Sequence, residues 1–314
     1  MTPALILDRF HTIRDLLLSP PYADIFSGRV CGQRFQPGHQ TLEICQNVAA
    51  DFEYLFHYKN QILMDNVPFS TKLMPKLRRA CQTMKNGYNY FAEIIDRISQ
   101  ESKDTMPDCL YTLLLKEREE GRISNENVKG VLMDALVGGI FTTKPTMYNA
   151  LAAMVNFPEV QKKIQEEIQR VVGKDRLPGL EDRNKMPYTR AVELESHRYY
   201  TPVIYNVWRV HNDESFWENP FTFDPTRFLD EHGELLPPED EKRQRLLTFG
   251  IGKRSCIGEK LSRVRIFLGL TSILQNFDLT RDTSEPFPSS DPRTYESKFL
   301  LQPPPYKLQF KPRL

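Results

Sequence analysis

Apolar residues recur at three- and four-residue spacing along most of this chain, and alternation is confined to its last stretch, so helices are expected to dominate. Residues 1–100 read as helices with irregular connections. Within them, 73–100 places Leu73, Leu77, Cys81, Met84 and Tyr88 at helical spacing. A charged stretch, 116–122, precedes Ser124, an N-cap candidate for the apolar segment 128–156. That segment is apolar enough to bury most of its circumference, as a central helix would. Gly138, Gly139 and Pro145 predict a distortion near its middle. Pro158 opens a helix rich in Gln, Glu and Lys that runs to about Val172 and closes at Gly173. Met186-Pro187 starts another that continues through Tyr200. From 202 to 249, proline, aromatic and acidic residues predict irregular coil with short strands. Residues 257–277 carry Leu261, Val264 and Leu268 at helical spacing. Residues 298–312 alternate and include Pro303–Pro305, as an edge hairpin would. The expected fold class is mainly α with a minor β-sheet.

Composition narrows the function classes. A length of 314 residues fits one large domain or two ordinary ones, and 40% hydrophobic with 26% charged residues is globular. A formal net charge of +1 argues against nucleic acid as the main partner. Cys31, Cys45, Cys81, Cys109 and Cys256 are scattered and form no C-x-x-C pair. This speaks against a disulfide framework, a zinc finger and C-x-x-C-H haem attachment, and suits reduced thiols facing the cytosol. The opening MTPALILDRF is too short an apolar run for a signal peptide, and no run of 18 apolar residues occurs. No transmembrane anchor is expected in this chain.

Chemistry concentrates in the run Phe249-Gly250-Ile251-Gly252-Lys253-Arg254-Ser255-Cys256-Ile257-Gly258. Cys256 stands just before a helix, where oriented amides and the macrodipole favour a thiolate. Phe249 supplies an apolar wall beside a sulfur, which excludes water and tunes a redox potential. Gly252 permits positive φ or close backbone approach to a flat ligand. Arg254 suits charge-assisted hydrogen bonds to a carboxylate, and Gly258 removes a side chain where the helix passes near a ligand. A structural cysteine after a glycine turn is the alternative use of such a run.

The run resembles the cysteine-ligand loop of the cytochrome P450 family, the haem-thiolate monooxygenases. The resemblance implies that Cys256 is the proximal ligand to the iron of haem b and that Arg254 contacts a propionate. It also implies that the thiolate donates electron density that favours O–O cleavage. Glu195-Ser196-His197-Arg198 matches the family's helical E-x-x-R, and Phe223-Asp224-Pro225-Thr226-Arg227-Phe228 its arginine-bearing partner segment. Glu195, Arg198 and Arg227 are thus expected to form a structural lock. E-x-x-R also occurs at Glu119/Arg122 and Glu167/Arg170, which read as solvated helix pairs. Gly138-Gly139-Ile140-Phe141-Thr142-Thr143 resembles the family's oxygen-binding groove, with Thr142 in the position of a proton relay. A glycine kink with threonine bonding back to the turn is the structural alternative. His197 and His211 are not expected to be iron ligands. Lys242, Arg243, Arg245, Lys253, Lys260, Arg263 and Arg265 flank the cysteine loop. They are either part of a docking face for an acidic electron donor or an ordinary solvated surface.

The resemblance implies a cytochrome P450 fold in one domain over 1–314, with 1–109 poorly matched and 110–314 as the haem-binding core. It implies insertion of one oxygen atom from O2 into a lipophilic small molecule, with electrons from NADPH through a reductase-type partner. The branch is animal microsomal. Endoplasmic reticulum membrane is therefore the expected location, or a cytoplasmic or peripheral one for a chain without an anchor. Residues 4–30, with Ile13-Arg14 and Phe26-Ser27-Gly28-Arg29, faintly resemble an early family segment. The chain departs from the pattern in three ways: Phe141 replaces an acid, no W-x-x-x-R occurs, and the join at 202–208 is abrupt. These make the fold an incomplete one. They leave as alternatives a non-catalytic haem-binding or regulatory form, and a chain that no longer binds haem.

Overall fold

The computed structural model describes residues 47, 48, 51, 54, 55, 60, 63, 64, 66 and 67, and then 70–99, 109–200, 207–297 and 301–313. The early segment at 4–30, Cys31, Cys45 and the join at 202–206 lie outside the described residues. The chain divides into two units, one ending at Phe141 and one from Thr142.

The first unit is helical. A short helix, Ser70–Leu73, leads into α1 (Pro75–Ser99), followed by α2 (Leu110–Glu119) and α3 (Asn125–Phe141). The Ser124 hydroxyl accepts from the Asn127 N–H at 3.2 Å, and the Asn127 side chain accepts from the Ser124 N–H at 3.0 Å. This reciprocal pairing satisfies donors that a helix start leaves free. Leu110, Leu114 and Val128 bury the contact between α2 and α3, and Leu77 and Ala80 of α1 pack with Leu55. Lys129 reaches Asp96 at 2.8 Å, joining α3 to α1.

The second unit holds α4 (Thr143–Asn156), α5 (Pro158–Val171), α6 (Pro187–Tyr199), α7 (Val207–His211) and α8 (Glu259–Asn276). The apolar segment at 128–156 is thus broken at Thr142, within the stretch where Gly138, Gly139 and Pro145 predict a distortion. Pro158 stands at the first position of α5, where its missing N–H costs nothing. Val160, Ile164 and Ile168 bury one face of α5 while Lys162, Lys163 and Glu166 stay exposed. That face meets Met154, Phe267, Leu270 and Leu274 in the largest core cluster.

Among the described residues, four strands make two antiparallel pairs. β1 (Phe277–Arg281) pairs with β4 (Leu308–Pro312), with Phe277 opposite Pro312 and Arg281 opposite Leu308. β2 (Glu296–Ser297) pairs with β3 (Leu301–Gln302). The expected C-terminal hairpin is therefore divided: its last strand pairs back to the end of α8. The buried Gln161 side chain stands in for a further strand, accepting from the Leu279 N–H at 2.7 Å and donating to its carbonyl at 3.1 Å. This satisfies both polar groups of a central β1 residue.

The most buried helix of the second unit is α6, in which every residue from Ala191 to Tyr199 is buried. Sequence patterning pointed instead to 128–156, because α6 carries Glu193, Glu195, His197 and Arg198. Those groups are tolerated inside because each carboxylate meets guanidinium groups. Around α6 the coil from Asp213 to Asp240 is stitched by aspartates that accept from backbone N–H groups two residues ahead. Asp213, Asp224, Asp230 and Asp240 all do so, at 2.9–3.0 Å. One isolated bridge joins Leu229 to Leu235 within this coil.

Candidate functional site

Glu195 lies at the centre of a buried ionic network. Its carboxylate accepts from Nε and Nη2 of Arg198 at 2.7 Å each, from Nε of Arg227 at 3.3 Å, and from the Asp224 N–H at 3.0 Å. Arg198 donates further to the carbonyls of His211 at 2.7 Å and Pro220 at 2.9 Å. Arg227 reaches the carbonyls of Glu218 and Thr222 at 3.0 and 3.1 Å. Both guanidinium groups also face the ring of the buried Trp217, 5.3 and 5.9 Å from its centroid. One carboxylate on α6 thus gathers the coil residues 211–227.

Two of the other buried acids bear directly on α6. Glu193 receives Arg183 on one oxygen and Arg263 on the other, both at 2.9 Å. Burial raises Glu193, but the partly buried Arg263 and Arg183 outweigh that desolvation and hold it below the usual carboxylate range. Glu167 does pair with Arg170, at 3.5 Å, but its carboxylate is not solvated. It is buried and accepts the N–H groups of Tyr188 and Thr189 and the Thr189 hydroxyl at 3.1, 2.8 and 2.7 Å. It therefore caps the start of α6 from α5, as free helix N–H groups require. Arg122 likewise pairs with Glu117 and Glu120. No sequence spacing distinguishes these acids, because their partners lie on other elements.

The strand of coil entering the cysteine loop hangs from α6 and α7. Leu247 donates its N–H to Nε2 of His211 at 2.8 Å, and the Thr248 hydroxyl donates to the His197 carbonyl at 3.0 Å. Burial pushes both imidazoles down to about 3, so they stand neutral at pH 7 and serve packing and backbone positioning. Phe249 meets the His197 ring at 4.9 Å between centroids and the Arg263 guanidinium at 4.9 Å. Its carbonyl accepts the Cys256 N–H at 2.6 Å, closing the loop. Gly250 and Gly252 adopt φ of 70° and 72°, a region costly for any residue with a Cβ.

From Gly250 to Ile257 the loop is exposed, with Ile251 at 73% and Ile257 at 53%. Cys256 is a free, exposed cysteine. Protein atoms nonetheless crowd its sulfur, and that desolvation pushes the thiol up against the opposing N–H groups of Gly258 and Glu259. The N–H groups at the helix start oppose that shift without reversing its direction. A cation bound at the sulfur would favour the thiolate. Thr142 is a separate feature, the break between α3 and α4, with its carbonyl accepting from the Thr146 hydroxyl at 3.0 Å.

Comparison with known proteins settles the kinship. The family profile described as Cytochrome P450 matches residues 22–205 and 201–310. The chain belongs to the cytochrome P450 family. It is 30% identical over 303 residues to cytochrome P450 2C28 of Mesocricetus auratus, covering 87% of this chain and 57% of that protein. It is 30% identical over 296 residues to cytochrome P450 2U1 of Mus musculus, covering 83% and 54%. It is 34% identical over 223 residues to human cytochrome P450 2D6, covering 63% and 43%. The chain therefore spans about half the length of the curated relatives it matches. The two profile matches meet at 201–205, within the abrupt join noted in the sequence.

A cytochrome P450 binds haem iron through a cysteine thiolate, and the residues around Cys256 fit that group. Cys256, Ile251 and Ile257 are all exposed residues of this loop, an apolar face open to a flat ligand. Gly258 has an ordinary φ of −87°, and a Cβ built there meets nothing within 4 Å. The open space at Gly258 leaves room for a ligand lying against the sulfur. Arg254 is exposed, with no carboxylate partner among the described residues. Among those residues no cluster of three His, Cys, Asp or Glu side chains could hold a bare metal ion. No helix there is long and apolar enough to cross a membrane.

Proposed function

We propose that this cytochrome P450 is a haem-thiolate monooxygenase. The reading rests on one observation: an exposed cysteine in a loop closed on Phe249, with open space at Gly258. Haem bound there would supply one-electron and O2 chemistry, drawing electrons from an NADPH-fed reductase. Cys256 would give the sulfur, Arg254 a charge-assisted bond to a propionate, and Gly252 and Gly258 room for the macrocycle. Phe249 keeps water from the proximal sulfur. Thr142, at a helix break, would hold water and pass protons. Glu195, Arg198 and Arg227 would keep the coil leading to the loop in place. The substrate would be a lipophilic small molecule.

A second reading is a non-catalytic haem-binding form, favoured by Phe141, which stands in the acidic position of the groove motif and carries no proton. Purified chain supplied with haem, reduced and exposed to carbon monoxide decides the first point. A strongly red-shifted Soret band that is lost in Cys256→Ala is the expected result. Absence of haem uptake, or persistence of the band in the variant, defeats the assignment. NADPH consumption with reductase and lipophilic substrates then separates a catalyst from a haem-binding relic.

A further inference from the structure

We propose that Arg263 is a positioning residue for the cysteine loop, acting through the ring of Phe249. Arg263 is on the first turns of α8, with its side chain 18% exposed. It donates to the Glu193 carboxylate through Nη1 at 2.9 Å and to the Glu259 carboxylate through Nε at 3.0 Å. Glu193 is fixed in turn by Arg183 at 2.9 Å on its other oxygen. With two edges of the guanidinium held, its orientation is set, and it stands 4.9 Å from the Phe249 centroid. The same ring meets His197, one turn along α6 from Glu193, at 4.9 Å. Both neighbours of the ring are thus registered by α6, one directly and one through an ion pair.

Phe249 transmits this to the sulfur-bearing residue. Its carbonyl accepts the Cys256 N–H at 2.6 Å, the bond that closes the loop. Within the exposed stretch 250–257, Ser255 donates to Gly252 inside the loop, while Gly250 donates to Leu247, which His211 holds from α7. Fixing the ring therefore fixes the point from which Cys256 hangs. A lysine at 263 would keep the charge but not the fork, because one ammonium cannot hold two carboxylates and lie flat on a ring. The functional meaning of this clamp rests on the reading of Cys256 as iron ligand, while its geometry does not.

Amide hydrogen exchange of the full haem-free chain tests the clamp. In Arg263→Lys and in Phe249→Leu the Cys256 amide should exchange at least tenfold faster, while the Ile164 and Ile168 amides of the α5 core shift much less. If core and loop amides speed up by the same factor, Arg263 is a general stabiliser and the proposal fails. Phe249→Leu leaves the ion pairs intact and decides the matter should Arg263→Lys not fold. After haem loading, the same variants should lower the thiolate share of the reduced carbon monoxide spectrum and shift the reduction potential. Wild-type chain with a protected loop but no red-shifted band would refute the haem assignment and leave the clamp standing. A band in wild type with uniform exchange in the variants would do the reverse.

Discussion

Glu195 and Arg198 meet within one turn of α6 through two 2.7 Å hydrogen bonds, with neither side chain exposed at all. A pair in that position does little as an isolated attraction, since taking both charges out of water offsets the gain. What it supplies is convergence. Arg198 and Arg227 spend their remaining donors on carbonyls of His211, Glu218, Pro220 and Thr222, so an irregular segment without a sheet of its own is held to a helix.

Removing one partner should therefore cost much more than the pair contributes. Glu195→Ala leaves Arg198 buried and unpaired, and about 3–5 kcal/mol of stability should be lost. Urea unfolding followed by tryptophan fluorescence measures it, since Trp217 lies against both arginines. A loss under about 1 kcal/mol would show that the network carries little of the fold.

Glu167 makes a parallel case. Its carboxylate caps α6 with three hydrogen bonds from Tyr188 and Thr189. Glu167→Ala should cost about 2–3 kcal/mol, the scale of charged buried hydrogen bonds, and Arg170→Ala almost nothing, because Arg170 is exposed. Equal effects in the two variants would return Glu167 to the status of a solvated helix pair.

The two buried imidazoles set an acid limit. Each is lowered by burial from 6.5 to about 3 in the folded protein, so the unfolded chain binds the extra proton first. Their contribution is complete above pH 6.5 and falls as pH drops toward 3. Between pH 7 and 5 each should cost about 2 kcal/mol. Carboxylates such as Glu193 act only at lower pH. His211→Gln, which can still accept the Leu247 N–H, should roughly halve the slope of stability against pH in that window. An unchanged slope would rule out His211 as one of the titrating groups.

Glycines in the cysteine loop should behave in two ways. Gly252 has positive φ and open space around it, so Gly252→Ala should lose about 1–2 kcal/mol through backbone strain alone. Gly258 shares the open space but has an ordinary φ, so Gly258→Leu should cost the haem-free chain no more than the modest loss of a glycine N-cap. If haem lies against Cys256, the same change should weaken haem uptake at least tenfold in a spectroscopic titration. Equal haem uptake by wild type and Gly258→Leu would count against the cradle.

Local pattern determined much of this protein. Helix periods, Ser124 as a cap, Pro158 as a start and the residues of the cysteine run are all legible in order, because caps, turns and faces are written within a few residues. The family kinship is legible for the same reason, since the run from Phe249 to Gly258 is contiguous. Tertiary structure alone decided the rest. It made α6 the buried helix, because its charges find partners on α8, on Arg183 just before it and in the coil, and Glu167 of α5 caps its start. It turned Glu167 into a cap and Glu193 into an anchor, and it sent the last strand to β1 instead of its neighbour. It also set the sense of the Cys256 shift, because desolvation by distant atoms outweighs the two N–H groups that the sequence supplies nearby. Pairings between elements carry no fixed spacing, and burial depends on what packs from elsewhere. Those are the properties that a single chain of letters leaves unwritten.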